Sequence, residues 1–562
     1  MTKLTPLFIL FSIIGIAQNP YPQDYFKNPL EVDMVLAGTF AELRSNHFHS
    51  GLDIKTQQRT GLKVRASAEG YVSRIKISNY GYGKALYLTH PNGYTTVYAH
   101  LEKLAPALQT YIKECQYQKE NYEVEVFPSP DELPVAANEL IAFSGNTGSS
   151  GGPHLHFEIR DNDERPINPM LFGLTVKDSK IPVVTKLFAY AKDRRSHVNQ
   201  QNGRIELRLI PKADGDYQVE PIKALGKVGF GVVSYDQQDM AYNKNGVSDI
   251  QSFYNGSKKF QMNFKRFAFA ETKHLNRFID FEYYKTERDR IQKLFVEPGN
   301  TLSMLEDISD DGYISVRDST SGVYKVKISD YQGNTSWISI PIEGTAKKEI
   351  LENADMSPDY LIRANTPNKL EKGTIRVSFP SNTFYDDFNI NFAVQSDTLV
   401  LHKDVVPLMK SYTITYDISN YKDADKDQLF VANLSGYKKS PRYISTIHKG
   451  NELVAYTKSL GTFTLHSDTT PPSIKPVNFS DGKWISSEKE LKVSISDDLS
   501  GISNYSATIN GKWILMEYEY KKNLLTYDFS DEISTETENK LKVIVTDNVG
   551  NSSTFEATFF KK

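Results

Sequence analysis

The run His154-Leu155-His156-Phe157-Glu158-Ile159 alternates polar and apolar residues without interruption. Side chains of a strand alternate between its two faces. This run therefore commits the chain to a two-faced strand, with Leu155, Phe157 and Ile159 entering a core. His154, His156 and Glu158 share the opposite face, so two imidazoles can enter one site. Gly151-Gly152-Pro153 just before it permits close approach and fixes the entry. By itself a His-x-His is weak evidence, since two surface histidines on a strand read the same way.

Three further blocks precede it: His49-Ser50-Gly51-Leu52-Asp53, Tyr98-Ala99-His100-Leu101 and Ser144-Gly145-Asn146-Thr147-Gly148. Gly51 argues against a helix, so His49 and Asp53 flank a strand end and offer one nitrogen and one oxygen to an ion. His47 is a nearby decoy whose spacing to Asp53 is less apt. A hydrolytic zinc site needs about three protein ligands and one open position. The four blocks contain such a set and two spare imidazoles for proton work.

These blocks sit in a strand-rich stretch. Gly70 to Ile77 alternates, Ala85 to His90 is a second strand, and Pro91-Asn92-Gly93-Tyr94 is a turn before the strand ending at His100. Helix is expected only around residues 102–118. Tyr (33) and Phe (30) are abundant, which favours β structure throughout.

At 562 residues the chain is too long for one core, and roughly 150 residues per domain suggests about four. Residues 1–17 read as a signal peptide: Lys3, an apolar run from Leu7 to Ile16, then Gly15 and Ala17 before a cut at Gln18. The apolar run is shorter than the ~20 residues of a spanning helix, and the mature chain has no other candidate transmembrane segment. No cysteine follows the cut to carry a lipid, and no sorting tail is recognisable at Phe559-Phe560-Lys561-Lys562. Cys115 is the only cysteine, so an exported chain folds without internal disulfides; it reads as a tolerated thiol. The net charge of −3 offers no field for nucleic acid.

Downstream, two stretches repeat. Asp178-Ser179-Lys180-Ile181-Pro182-Val183-Val184 has the look of Asp468-Thr469-Thr470-Pro471-Pro472-Ser473-Ile474. Val326 to Asn334 and Val543 to Asn551 both end in Asp-x-x-Gly-Asn. The expected fold class is mainly β: an antiparallel domain at 18–175, a β-sandwich at 176–345, a β domain at 346–470 and an Ig-like β-sandwich at 471–562. None of the later units carries an obvious catalytic cluster, and their aromatic residues read as core.

From about Gly38 to Pro169 the sequence resembles the M23 family of zinc metallopeptidases, the LytM or lysostaphin-like peptidases. The resemblance rests on Arg44 to Asp53, Gly81-Tyr82-Gly83, His90-Pro91-Asn92-Gly93, Tyr98-Ala99-His100-Leu101 and Gly145 to Arg160, in that order. It implies an antiparallel LytM-type domain, one Zn2+ held by His49, Asp53 and His156, and unligated catalytic His100 and His154. Which of the two is the base stays open. It implies a peptidoglycan peptide as substrate, with a D-Ala crosslink or a glycine bridge as the bond cut. His90 reads as structural. Arg44, Asn46 and His47 are candidates for the groove, and Glu158 either orients a histidine or is a solvated charge.

The segment between His100 and Gly145 is longer than in simple members of the family, and residues 102–138 either narrow the groove or restrain the enzyme. The leading expectation is an exported zinc endopeptidase in the periplasm or at the cell surface, with the later β domains meeting wall or envelope protein partners. The alternative is a LytM-type regulator of other wall hydrolases, catalytically restrained or without catalysis of its own.

Overall fold

The computed structural model describes residues 20–346, 360–436, 438–533 and 536–562. The expected signal peptide lies outside these residues. Among them no helix is long and apolar enough to cross a membrane. The chain is mainly β, as the alternation and aromatic content indicate.

The first unit is built on a nine-stranded sheet. Its strands include β1 (Leu36–Gly38), β2 (Leu52–Lys55), β3 (Gly70–Ile77), β4 (Lys84–Thr89), β5 (Thr95–Ala99), β6 (Val124–Val126) and β7 (His154–Arg160). They lie in the order β1-β2-β7-β5-β4-β3-β6. The histidine strand β7 is therefore internal, antiparallel to β2 on one side and β5 on the other. Leu155 faces Ile54 and Phe157 faces Leu52 in register, and all four are fully buried. Burying such side chains is worth about 1.5–3 kcal/mol each. A one-residue slip would move this whole set to the other face, so the apolar residues fix the register that sets His156 opposite Asp53.

The long segment after His100 forms a short strand and then helix α1 (Pro106–Lys119). Pro106 starts it at a position where no amide donor is needed. Leu108, Ile112 and Gln116, spaced four apart, are its buried stripe. The helix stops at Glu120, which takes a left-handed conformation and returns its N–H to the Gln116 and Tyr117 carbonyls.

Residues 183–344 form one continuous sheet of thirteen strands rather than two separate layers. The cause is a long strand, Ile222–Tyr235, containing three glycines. Its first part runs parallel to Thr335–Gly344, and its second pairs with Val183–Ala191. Gly226 between them has φ +79°, a conformation that glycine takes without strain, so one strand serves both layers. This unit shares a hydrophobic core with the first. Phe267 packs on Phe40 and Phe48 with ring centroids 5.4 and 5.6 Å apart.

Residues 360–468 hold two five-stranded sheets over their own core, and 473–560 a four- and a five-stranded sheet over another. The last sandwich returns to the first unit. Asp531 accepts from Tyr117 Oη at 2.7 Å and pairs with Lys113, both on α1. Trp513 meets the Tyr117 ring edge-on, 5.3 Å between centroids.

Candidate metal centre

The sheet brings His49, Asp53 and His156 together. Asp53 Oδ1 lies 2.9 Å from His49 Nε2 and 2.9 Å from His156 Nδ1, and the two nitrogens are 3.1 Å apart. Each histidine is oriented from behind. His49 Nδ1 donates to the Thr39 carbonyl at 2.7 Å, and His156 Nε2 donates to Glu158 Oε1 at 2.8 Å. With those protons placed, the facing nitrogens present lone pairs to each other and to a carboxylate oxygen. Three acceptors turned on one point repel unless a cation or a proton lies among them. The donors span nearly the edge of a tetrahedron with ~2.0–2.1 Å bonds, about 3.3 Å. Two nitrogens and one oxygen, buried and oriented from behind, are a donor set that fits zinc.

The surroundings hold Asp53 ionised. Burial alone would raise its pKa, but the field of His49 and hydrogen bonds from His154, His156 and His49 keep it well below the usual carboxylate range. Its second oxygen, Oδ2, accepts from Arg44 Nη2 at 3.1 Å, and Arg44 also pairs with Glu42 at 2.9 Å. Gly38 is required beside this pair, since a Cβ there would lie 2.7 Å from Asp53 Oδ2. Arg44, a candidate for the groove in the sequence, is thus placed on Asp53. His47 points elsewhere, its Nδ1 on the Ser45 carbonyl at 2.8 Å.

Glu158 is fully buried. It takes His156 Nε2, Arg160 Nε at 2.6 Å, Ser50 Oγ at 2.7 Å and the Tyr82 hydroxyl. Burial would raise its pKa; the Arg160 charge and the bonds from His156 and Arg160 hold it far down. Of the two readings the sequence allowed, this is the orienting carboxylate. For His156, burial opposes charge, yet Asp53 and Glu158 outweigh it and lift the imidazole to about 9.

His100 and His154 stand beside this group, their ring centroids 4.8 Å apart. His100 follows β5 at φ +59°, a left-handed position. Its Nδ1 donates to the Thr147 carbonyl at 2.9 Å, which leaves Nε2 as the lone-pair nitrogen. Burial, followed by the charges of His156 and His154, pushes its pKa down to about 3. His154 has an acceptor at each nitrogen: the Gly152 carbonyl 2.8 Å from Nδ1 and Asp53 Oδ1 3.3 Å from Nε2. His90 is remote and buried, bonded to the Glu69 carbonyl at 2.7 Å and Thr96 Oγ1 at 2.8 Å.

No role for Ser50, Tyr82, Arg160 or the Thr39 and Thr147 carbonyls was legible in the sequence. One signal was present. Glu158 and Arg160 continue the polar face of β7 two residues at a time, so opposite charges stand beside the histidines on an internal strand.

Residues 47–117 match the model of peptidase family M23, and residues 359–468 match that of a Zu5-like domain. Among curated proteins, the DD-carboxypeptidase/endopeptidase Mpg of Neisseria meningitidis serogroup B is 36% identical over 132 residues, 24% of this chain and 24% of that protein. An uncharacterized metalloprotease of Haemophilus influenzae is 38% identical over 130 residues, 23% of this chain and 21% of its own. The peptidoglycan DD-endopeptidase ShyA of Vibrio cholerae is 29% identical over 161 residues, 29% of this chain and 30% of its own. The chain thus spans about a quarter of the length of the curated relatives it matches. The solved catalytic domain of lysostaphin from Staphylococcus simulans aligns with 25% of this chain and 91% of its own at 25% identity, with a TM-score of 0.19. The amino-terminal unit of this chain is a member of peptidase family M23.

Proposed function

We propose that the chain is an exported zinc endopeptidase that hydrolyses peptide crosslinks of peptidoglycan. The observation that carries the reading is the convergence of two imidazole lone pairs and one carboxylate oxygen on a single point, with two further histidines beside it. His49 Nε2, Asp53 Oδ1 and His156 Nδ1 would hold the ion. When bound, zinc supplies a Lewis acid that activates water and polarises a carbonyl.

The chain's own residues divide the remaining work. His100 is neutral, with Nε2 free to take a proton from the attacking water, and serves as general base. His154, faced by an acceptor at each nitrogen, is suited to carry a proton and to donate to the developing oxyanion or the leaving amine. Arg44 keeps Asp53 in place, and Glu158 with Thr39 keeps the histidine tautomers. The names of the Neisseria and Vibrio relatives favour a D,D crosslink over a glycine bridge.

The test is incubation of the purified protein with isolated peptidoglycan, with and without a zinc chelator, and mass spectrometry of the products. Chelator-sensitive loss of crosslinked muropeptides is expected. A zinc-loaded protein that releases nothing, yet raises the activity of another wall hydrolase, would overturn the reading in favour of a regulator.

A further inference from the structure

The repeated motifs downstream of the M23 unit bring a second group of ligating atoms together. Asp178, Asp236 and Asp330 each place one carboxylate oxygen within 4.8 Å of the other two, and Asp468, Asp497 and Asp547 do the same in the last sandwich. The two trios are equivalent in register. Asp178 lies five residues before Val183, which pairs with Tyr235, and Asp236 follows Tyr235. Asp468 lies five residues before Ser473, which pairs with Ser496, and Asp497 follows Ser496.

The third member is held alike in both. Asp330 accepts from the Asn334 amide at 2.9 Å and side chain at 2.7 Å, and Asn334 Nδ2 reaches the Asp178 carbonyl at 3.2 Å. Asp547 accepts from the Asn551 amide at 2.8 Å and side chain at 2.7 Å, and Asn551 Nδ2 reaches the Asp468 carbonyl at 2.9 Å. The Asp-x-x-Gly-Asn turn thus does more than reverse the chain. It presents a carboxylate to the linker that enters the sandwich.

In the first trio the arrangement is incomplete without a ligand. Asp236 is 3% exposed, and among the described residues no donor group reaches its buried Oδ1. Its carboxyl faces that of Asp178, so the two must share either a proton or a cation, and both can stand ionised only with the cation. Lys180, the cation nearby in sequence, turns its ammonium to the Gln238 carbonyl at 3.0 Å. A cavity of about 20 Å³, lined in part by Thr39, Asp178, Asp236 and Gln332, adjoins the group. That is room for one ion or one water. All the donors are oxygens, which selects a hard cation, and a group of three protein carboxylates suits calcium better than magnesium, which keeps its waters and is seldom held by an all-protein cage.

We propose that Asp178, Asp236 and Asp330 bind a divalent cation of the calcium class at the junction between the M23 unit and the first downstream unit. The ion ties the linker to the loop that begins at Asp236. That loop clasps β1: Gln238 Oε1 accepts from the Leu36 amide at 3.2 Å, and the Gly246 amide donates to Thr39 Oγ1 at 3.0 Å. Thr39 is the residue whose carbonyl orients His49. The ion therefore pins the outer strand of the metal centre from behind, at a place that takes no part in the peptidase chemistry.

The experiment is calorimetric titration of the zinc-loaded full chain with calcium chloride to about 5 mM, above the ~10⁻⁴–10⁻³ M range of extracellular calcium modules. It is run on the wild type, Asp236→Asn and Asp178→Asn, with thermal unfolding of each. Wild type should bind calcium, and each variant should bind one ion fewer or with at least about tenfold weaker affinity. Calcium-free Asp236→Asn should melt no lower than calcium-free wild type, because an amide facing Asp178 supplies the donor that the carboxyl pair otherwise needs a proton or an ion to provide. The proposal fails if wild type takes up no calcium, or if both variants bind the same number of ions with the same affinity. It fails too if Asp236→Asn lowers the calcium-free melting temperature while binding is unchanged, since the carboxylate would then be structural.

Discussion

Glu158 and His156 lie two residues apart on one face of β7, and the carboxylate accepts a hydrogen bond from the imidazole Nε2–H at 2.8 Å. That bond decides which nitrogen is turned towards Asp53 and His49, so the tautomer of His156 is set by a residue on the far side of its ring.

Substitution of Glu158 should therefore weaken zinc binding without removing a ligand. Partners of this kind typically matter by 10–100-fold in metal affinity. Glu158→Gln, which keeps an acceptor near Nε2, should sit at the low end of that range. Glu158→Ala should sit at the high end and also cost up to about 3 kcal/mol of stability, because Arg160 loses its buried partner and keeps only the more exposed Glu164, 2.9 Å from Nη1. Competition with a chromophoric chelator and denaturant unfolding read the two effects separately.

The zinc-free protein should carry a proton where the ion would sit. The folded-state pKa of His156 is raised to about 9, above its ordinary 6.5. A raised pKa contributes stability that is fully present below about 6.5 and is lost as pH rises through about 9. Chelator-treated protein should thus lose thermal stability across that window, and zinc-loaded protein should not show this loss. Zinc binding at pH 7–8 should release this proton. Calorimetry in buffers of different ionisation enthalpy counts it, and a heat independent of the buffer would contradict the assignment.

Much of this centre was legible because a strand has period two. The alternation of His154 to Ile159 placed both histidines and Glu158 on one face, and the same rule put Leu155, Phe157 and Ile159 in the core. What it left open was partnership. His49 and Asp53 come from one segment and His156 and Glu158 from another, and only the pairing of β2 with β7 decides that Asp53 meets His156 while Glu158 stands behind it. Arg44 illustrates the gap, since its contact with Asp53 depends on the tight approach at Gly38. The shared core of the first two units was not legible either. Phe267 belongs by sequence to the second and packs by contact in the first.

His100 and the ligands should separate cleanly on substitution. His100→Asn suits the left-handed backbone at φ +59°, which asparagine tolerates better than most residues. It should retain the fold and one zinc per chain while turnover falls by about 10²–10⁴. His156→Ala should lose zinc and turnover together. Metal content by atomic absorption, set beside muropeptide release, distinguishes the two. If His100→Asn were fully active, His154 or another group would be the base.

The carboxyl-terminal sandwich reaches the loop that supports both His100 and His154. Lys521 Nζ bonds the Ser150 carbonyl at 3.2 Å and also meets the Asn146 carbonyl, and the Tyr520 ring packs on Tyr80 with centroids 4.6 Å apart. The same loop offers the Thr147 carbonyl to His100 and the Gly152 carbonyl and Ser150 hydroxyl to His154. Lys521→Ala combined with Tyr520→Ala removes the outer support and leaves His49, Asp53 and His156, the proposed zinc ligands, untouched. Amide exchange over residues 146–150 should rise, zinc content should stay at wild-type level, and turnover should fall about tenfold as the histidines lose their fixed orientation. A rise in turnover would instead show that the sandwich holds the loop closed over the groove, and faster exchange with unchanged turnover would show that the histidines keep their places without it.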